Sequence, residues 1–315
     1  MKLPRFNLFF LIRLAGIALF IILIARTDLR ELWSWIKTVD TTCLFLAVFF
    51  QIMVLLIKAW RWYMLNEDVF SLQRLARRSG EFFEGYAMGV ITPGRLGELV
   101  KAGHAGSKSG ILGAGLRVIA ERGMDLSIFI VVAGIAMSQS VIPGVSSFWG
   151  WVILLFGLSG MAITLLILVS PLVVRFAEKI MKLTRLLGKE KSLEYVHRTG
   201  WNAIGFQVWS LMSNGSFFVC CYFLALGVGM DLNFVDVSGG VAVAGVVNSL
   251  PVTVMGLGTR EVTFLYVFSA FPRAQVMAFS GLVFLIGQIG GGLITLILGQ
   301  ILLWKSSKFK VQSSK

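Results

Sequence analysis

The chain has 315 residues, of which 57% are hydrophobic and only 14% charged, and its mean hydropathy is +0.82. That composition cannot cover the surface of a water-soluble domain, which excludes a soluble enzyme or binding module. The net charge of +13 raises nucleic-acid binding as a question. The placement of the basic residues answers it.

In chain order, apolar runs at 7–25, 41–60, 112–137, 149–170, 202–226 and 275–304 are each long enough to cross about 30 Å of hydrocarbon. Further apolar stretches lie at 79–104 and 237–271. The first run reads as an uncleaved helix rather than a signal peptide, because Arg13 interrupts it and the following "LIARTDLREL" is a poor cleavage site. Cys43, Cys220 and Cys221 all sit inside apolar runs and read as small core residues. His104 and His197 are too few and too scattered for a metal site, and no cofactor motif is present.

Basic residues gather in alternate loops. Lys2 and Arg5 precede the first run, Lys58, Arg61, Arg74, Arg77 and Arg78 follow the second, and Lys101 and Lys108 precede 112–137. Seven more, from Arg175 to Arg198, fill the central loop, and Lys305, Lys308, Lys310 and Lys315 end the chain. This is the positive-inside pattern, so the charge reports orientation and contact with anionic lipid, and nucleic acid is not needed. It places both termini in the cytoplasm and the protein in the inner (cytoplasmic) membrane. Trp60, Arg61, Trp62 and Tyr63 read as an interfacial belt, and 171–187 as a basic helix lying on the inner leaflet.

If 79–104 crossed fully, the basic loops on either side of it would face opposite compartments. A hairpin that dips in and returns removes the conflict, and 237–271 repeats the design. The expected fold is therefore an all-α polytopic bundle of six transmembrane helices plus two re-entrant, broken-helix hairpins. Residues 1–148 form one half and 149–315 an inverted second half. Eight full crossings are the alternative.

Three motifs place charge where lipid belongs. In Thr92-Pro93-Gly94-Arg95-Leu96-Gly97-Glu98-Leu99-Val100-Lys101, Pro93, Gly94 and Gly97 break the helix, and the restart presents its positive end near Arg95, which suits a phosphate. Arg95, Glu98 and Lys101 follow at intervals of three, so each neighbouring pair can meet on one face. In 112–137, Glu121 and Asp125 lie four apart and repel unless a cation or proton sits between them, with Arg117 and Arg122 close by. The third motif runs from Asn248 through Pro251, Gly256 and Gly258 to Arg260 and Glu261. These last two are adjacent, so they should point in different directions and not simply neutralise each other. Pseudosymmetry predicts that they face Arg95 and Glu98 across the bilayer midplane. The competing reading makes all three motifs structural ion pairs. The glycines Gly287, Gly290, Gly291 and Gly292 read as helix-packing positions.

"TPGRLGELVKA", "ERGMD" and "LPVTVMGLGTREV" together resemble the motifs of the lysylphosphatidylglycerol synthase transmembrane family, which includes the flippase half of the multiple peptide resistance factor proteins. The resemblance implies movement of a lipid with a polar head group between leaflets: aminoacyl-phospholipid, polyprenyl-linked or hopanoid-type. The sequence shows no nucleophile–base pair, metal-ligand cluster or phosphate loop, so no catalysis, cofactor or metal is expected. On this reading Arg95, Lys101, Arg122 and Arg260 contact an anionic or zwitterionic head group, and Glu98, Glu121, Asp125 and Glu261 balance them, with Asn248 nearby. A homodimer or a lipid-modifying enzyme is the expected protein partner. A membrane-embedded enzyme acting on a lipid-linked substrate, or a non-transporting partner of such an enzyme, stays open as an alternative.

Overall fold

A computed structural model describes residues 18–67, 69–142, 144–170, 200–249 and 255–312. The basic stretch 171–187, Pro251, His197 and most of the first apolar run lie outside these residues. Every regular element among the described residues is helical. They are α1 (18–25), α2 (Leu29–Lys37), α3 (Thr41–Asn66), α4 (Leu72–Ile91), a 3₁₀ segment Pro93–Leu99 and α5 (Val100–Ser138). Then follow α6 (Ser147–Val169), α7 (Gly200–Gly227), α8 (Phe234–Ser249), α9 (Thr259–Val267) and α10 (Arg273–Val283). A π-helical turn, Phe284–Gly290, joins α10 to α11 (Gly291–Gln312).

Local chemistry sets the boundaries. The Asp40 carboxylate caps α3 by accepting from the backbone N–H groups of Thr42 at 2.6 Å and Cys43 at 3.2 Å. Helix α4 stops at Ile91 because Thr92, which precedes Pro93, is held extended at φ −103°, ψ 142°. The Thr92 hydroxyl then secures the break, donating to the Met88 carbonyl at 3.0 Å and accepting from the Gly97 N–H at 2.7 Å. A Cβ at Gly97 would fall 2.2 Å from the Met88 carbonyl oxygen, so only glycine allows this closure.

Among the described residues, four stretches are long and apolar enough to cross a membrane: Thr41–Asn66, Ser147–Val169, Asn202–Gly227 and Arg273–Trp304. Large apolar side chains such as Phe45, Phe49, Phe156, Leu155 and Ile297 point outward along them, as lipid-facing residues do. Helix α5 has 39 residues, or about 58 Å at the helical rise, and its Lys101, Arg117, Glu121 and Asp125 side chains are buried. It packs along α6 and also touches α8, while α3 packs on α7 and α4 on α11.

Two boundary expectations change. The segment 79–104 and the helix expected at 112–137 are not separate units: the chain passes through the 3₁₀ turn straight into one continuous helix from Val100 to Ser138. The expected belt at Trp60–Tyr63 is also overturned. Arg61 and Trp62 are fully buried and Tyr63 nearly so, because α3 extends inward to Asn66 and is covered by its neighbours.

Candidate functional site

The interior of this apolar bundle holds a continuous chain of ion pairs. It begins on α3, where Lys58 donates to Asp125 Oδ2 at 2.8 Å. Arg61 reaches Asp125 with two bonds, Nη1 to Oδ1 at 2.6 Å and Nη2 to Oδ2 at 3.1 Å, and also donates to Glu121 Oε1 at 2.9 Å. The repulsion expected between Glu121 and Asp125 is thus resolved by one guanidinium between them. Lys101 pairs with Glu121 and lies 3.2 Å from Glu98 Oε2. Glu98 receives Arg122, with Nε at 2.8 Å from Oε2 and Nη2 against Oε1, and Arg95 Nη1 approaches to 3.8 Å.

Helix α7 closes the other side. The Ser210 hydroxyl accepts from Arg61 at 2.9 Å, and the Asn214 amide donates to Asp125 Oδ1 at 3.0 Å. Aromatic faces cover the cations: Arg61 lies 5.4 Å from the Phe206 ring centroid, Arg95 5.4 Å from Tyr86, and Lys101 4.8 Å from Trp62 and 5.1 Å from Phe82. Glycines admit the network. Cβ atoms at Gly89 and Gly85 would meet the Glu98 and Lys101 side chains at 2.5 Å and 3.1 Å. Burial is graded, from 0% side-chain exposure at Arg61 and Lys101, through 12% at Lys58, to 31% at Arg122 and 35% at Arg95.

Arg95 also carries a backbone signature. Its φ is +56°, in the left-handed region that non-glycine residues rarely occupy. Such a conformation costs on the order of 1 kcal/mol and persists where the surroundings impose it.

The second motif site is smaller. Gly256 and Gly258 have φ of +73° and +87°, and the Glu261 carboxylate reaches back to accept from the Gly258 N–H at 2.7 Å, capping α9. Arg260 and Glu261 pair directly, contrary to the expectation from their adjacency: the long guanidinium arm folds back onto the neighbouring carboxylate. The Ser280 hydroxyl locks the pair, accepting from Arg260 Nε at 3.0 Å and donating to Glu261 Oε1 at 2.9 Å, while the Phe284 ring centroid lies 4.8 Å from the guanidinium. Arg260 Nη1 is buried without a hydrogen-bond partner among the described residues. The Asn248 side chain accepts from the Thr259 hydroxyl at 2.9 Å and occupies the space a Cβ at Gly256 would need.

The structure therefore brings Arg95, Glu98, Lys101, Glu121, Arg122 and Asp125 into one assembly and keeps Asn248, Arg260 and Glu261 as another. Among the described residues no hydrogen bond or ion pair joins Arg260 or Glu261 to Arg95 or Glu98, so the expected encounter of the two Arg–Glu pairs is not made as direct contact. The charge pattern places Lys58 and Arg61 in a basic cytoplasmic loop at the membrane interface, whereas both are in α3 and pair inside the bundle, and Ser210 and Asn214 join them from α7. Polar residues four apart in the otherwise apolar 202–226 were the available signal for the latter pair. The glycines at 287–292 do more than pack. In the π turn the Gly287 carbonyl accepts from Gln51 Nε2 at 3.3 Å and from the Tyr86 hydroxyl at 3.0 Å. Among the described residues no group of three or more His, Cys, Asp or Glu side chains could hold a metal ion.

Long apolar helices with outward-facing hydrophobics around a paired, charged interior define a multi-pass helical membrane protein. Within that class the chain belongs to the family described as Lysylphosphatidylglycerol synthase TM region, whose pattern it matches over residues 10–294. This is a membrane family related to lipid handling. No match was found among curated proteins.

Proposed function

We propose that the protein is a lipid flippase or transporter, moving a lipid with a polar or charged head group between leaflets of the inner membrane. The observation that carries this reading is the Arg260 side chain, buried in the bundle with Nη1 unpartnered among the described residues. Buried donors are almost always satisfied, and an arginine left with spare donors inside an apolar bundle suits a visiting anionic oxygen. On this reading Arg95, Lys101, Arg122 and Arg260 make or support contacts to the head group, and Glu98, Glu121, Asp125 and Glu261 hold the cations in place between visits.

The two halves act as inverted repeats, with the breaks after Ile91 and after Ser249 as re-entrant turns that meet the head group partway through the bilayer. Both termini face the cytoplasm. The lipid leaves as it arrived, so this is a carrier rather than a catalyst, working as a homodimer or beside a lipid-modifying enzyme.

The test is transport by purified protein in proteoliposomes, read as dithionite quenching of fluorescent phosphatidylglycerol. Wild type should exceed protein-free vesicles, and Arg260→Gln should slow transport by about tenfold or more, the loss expected for one charge-assisted hydrogen bond. Equal rates for wild type and Arg260→Gln overturn the proposal.

A further inference from the structure

We infer that the head group taken by this protein is net anionic, a phosphate without a compensating amine, and that Arg95 and Arg122 hold it at the open end of the charged network. The inference rests on the lipid-transport reading above and narrows its substrate.

Charge balance is the first argument. The connected network contains Lys58, Arg61, Arg95, Lys101 and Arg122 against Glu98, Glu121 and Asp125. Among the described residues, five cations of the network face three carboxylates, an excess of two positive charges. In a medium of low dielectric such an excess is costly to hold, and an anion relieves it.

Carboxylate occupancy is the second. Asp125 already accepts from Lys58, Arg61 and Asn214, Glu121 from Arg61 and Lys101, and Glu98 is approached by Lys101, Arg122 and Arg95. An incoming ammonium would have to evict a resident cation from a carboxylate, whereas a phosphate evicts no cation and competes only with Glu98.

Access is the third. Arg122 and Arg95 converge on the same oxygen, Glu98 Oε1, and theirs are the most exposed cationic side chains of the network. Among the described residues the Arg95 guanidinium makes no hydrogen bond. It rests on the Tyr86 ring and stays 3.8 Å from Glu98, so its donors are free. Two guanidiniums around one shared point match the fork geometry that arginine offers phosphate. Glu98 serves as the resident counter-ion with which the phosphate competes.

The experiment offers purified protein equal amounts of phosphatidylglycerol, phosphatidylcholine and lysyl-phosphatidylglycerol in mixed micelles. Bound lipid is then read by native mass spectrometry. Phosphatidylglycerol should be retained about tenfold over each of the others. Arg95→Gln and Arg122→Gln should each erase most of that preference, Arg122→Lys should keep part of it, and Glu98→Gln should raise retention. Thermal unfolding of each variant confirms that the fold survives. Equal retention of the three lipids, preference for the lysyl lipid, or an unchanged preference in both glutamine variants overturns the inference. So does complete displacement by millimolar glycerol 3-phosphate, which would mark a site for soluble phosphate. Selective retention of phosphatidylglycerol by a protein that moves no lipid sinks transport and leaves the anion site standing. Transport of lysyl-phosphatidylglycerol with no retention of phosphatidylglycerol does the reverse.

Discussion

Arg61 grips Asp125 with both terminal nitrogens, at 2.6 and 3.1 Å, and neither side chain has appreciable contact with solvent. The two residues are 64 positions apart and tie α3 to α5. Because Arg61 also serves Glu121 and Ser210, it is the member whose loss strands the most partners.

Arg61→Met should therefore destabilise the protein by about 3–5 kcal/mol, the usual cost of leaving buried charges uncompensated. Arg61→Lys should fall between the variant and wild type, since a single ammonium cannot span both carboxylates. Unfolding of the detergent-purified protein, followed by tryptophan fluorescence, measures this. An unchanged midpoint for Arg61→Met would show that the network contributes nothing to the fold.

The contact between α5 and α6 depends on absent side chains. A Cβ at Gly150 would lie 2.2 Å from the Ser138 nitrogen, one at Gly134 2.5 Å from the Leu154 nitrogen, and one at Gly157 2.7 Å from the Val131 nitrogen. These are backbone atoms that cannot swing aside, as at small-residue interfaces between membrane helices. Gly150→Leu should separate the two helices and lower the unfolding midpoint by several degrees, about 1–3 kcal/mol of overpacking. Gly215→Ala in α7, where nothing lies within 4 Å, should be neutral or stabilising. The two variants compared in one melting experiment separate packing from backbone propensity.

Asp40 makes a pH-dependent contribution at the start of α3. The backbone N–H of Cys43, and then that of Thr42, hold its carboxyl below the usual carboxylate range. A lowered folded value means the cap stabilises at pH above the unfolded carboxyl value and fades as pH falls through the folded one. Wild type should melt above Asp40→Ala at neutral pH, and the gap should close below about pH 4. A gap that persists unchanged at pH 3 would refute the assignment of the cap to the charged carboxylate.

Much of this site was legible before any coordinates. Glu98 and Lys101, three apart, and Glu121 and Asp125, four apart, announce shared faces by spacing alone, and the break before Pro93 follows from proline's effect on its predecessor. Arg61 was not legible. Flanked by Trp60, Trp62 and Tyr63, it has the composition of an interfacial belt, and only the packing of α3 against α7 reveals that Arg61, Trp62 and Tyr63 are enclosed. The pairing of Arg260 with Glu261 escaped for a different reason: helical spacing describes where side chains leave the backbone, not where a long flexible arm ends.

The π turn interrupts the regular bonding between α10 and α11 at the level of the charged network's aromatic cover. The Tyr86 ring lies against Arg95 while its hydroxyl holds the Gly287 carbonyl, so one rigid phenol links the arginine at the network's open end to the π turn. The side chain that lies against the arginine is thus the same one that is tied to the π turn.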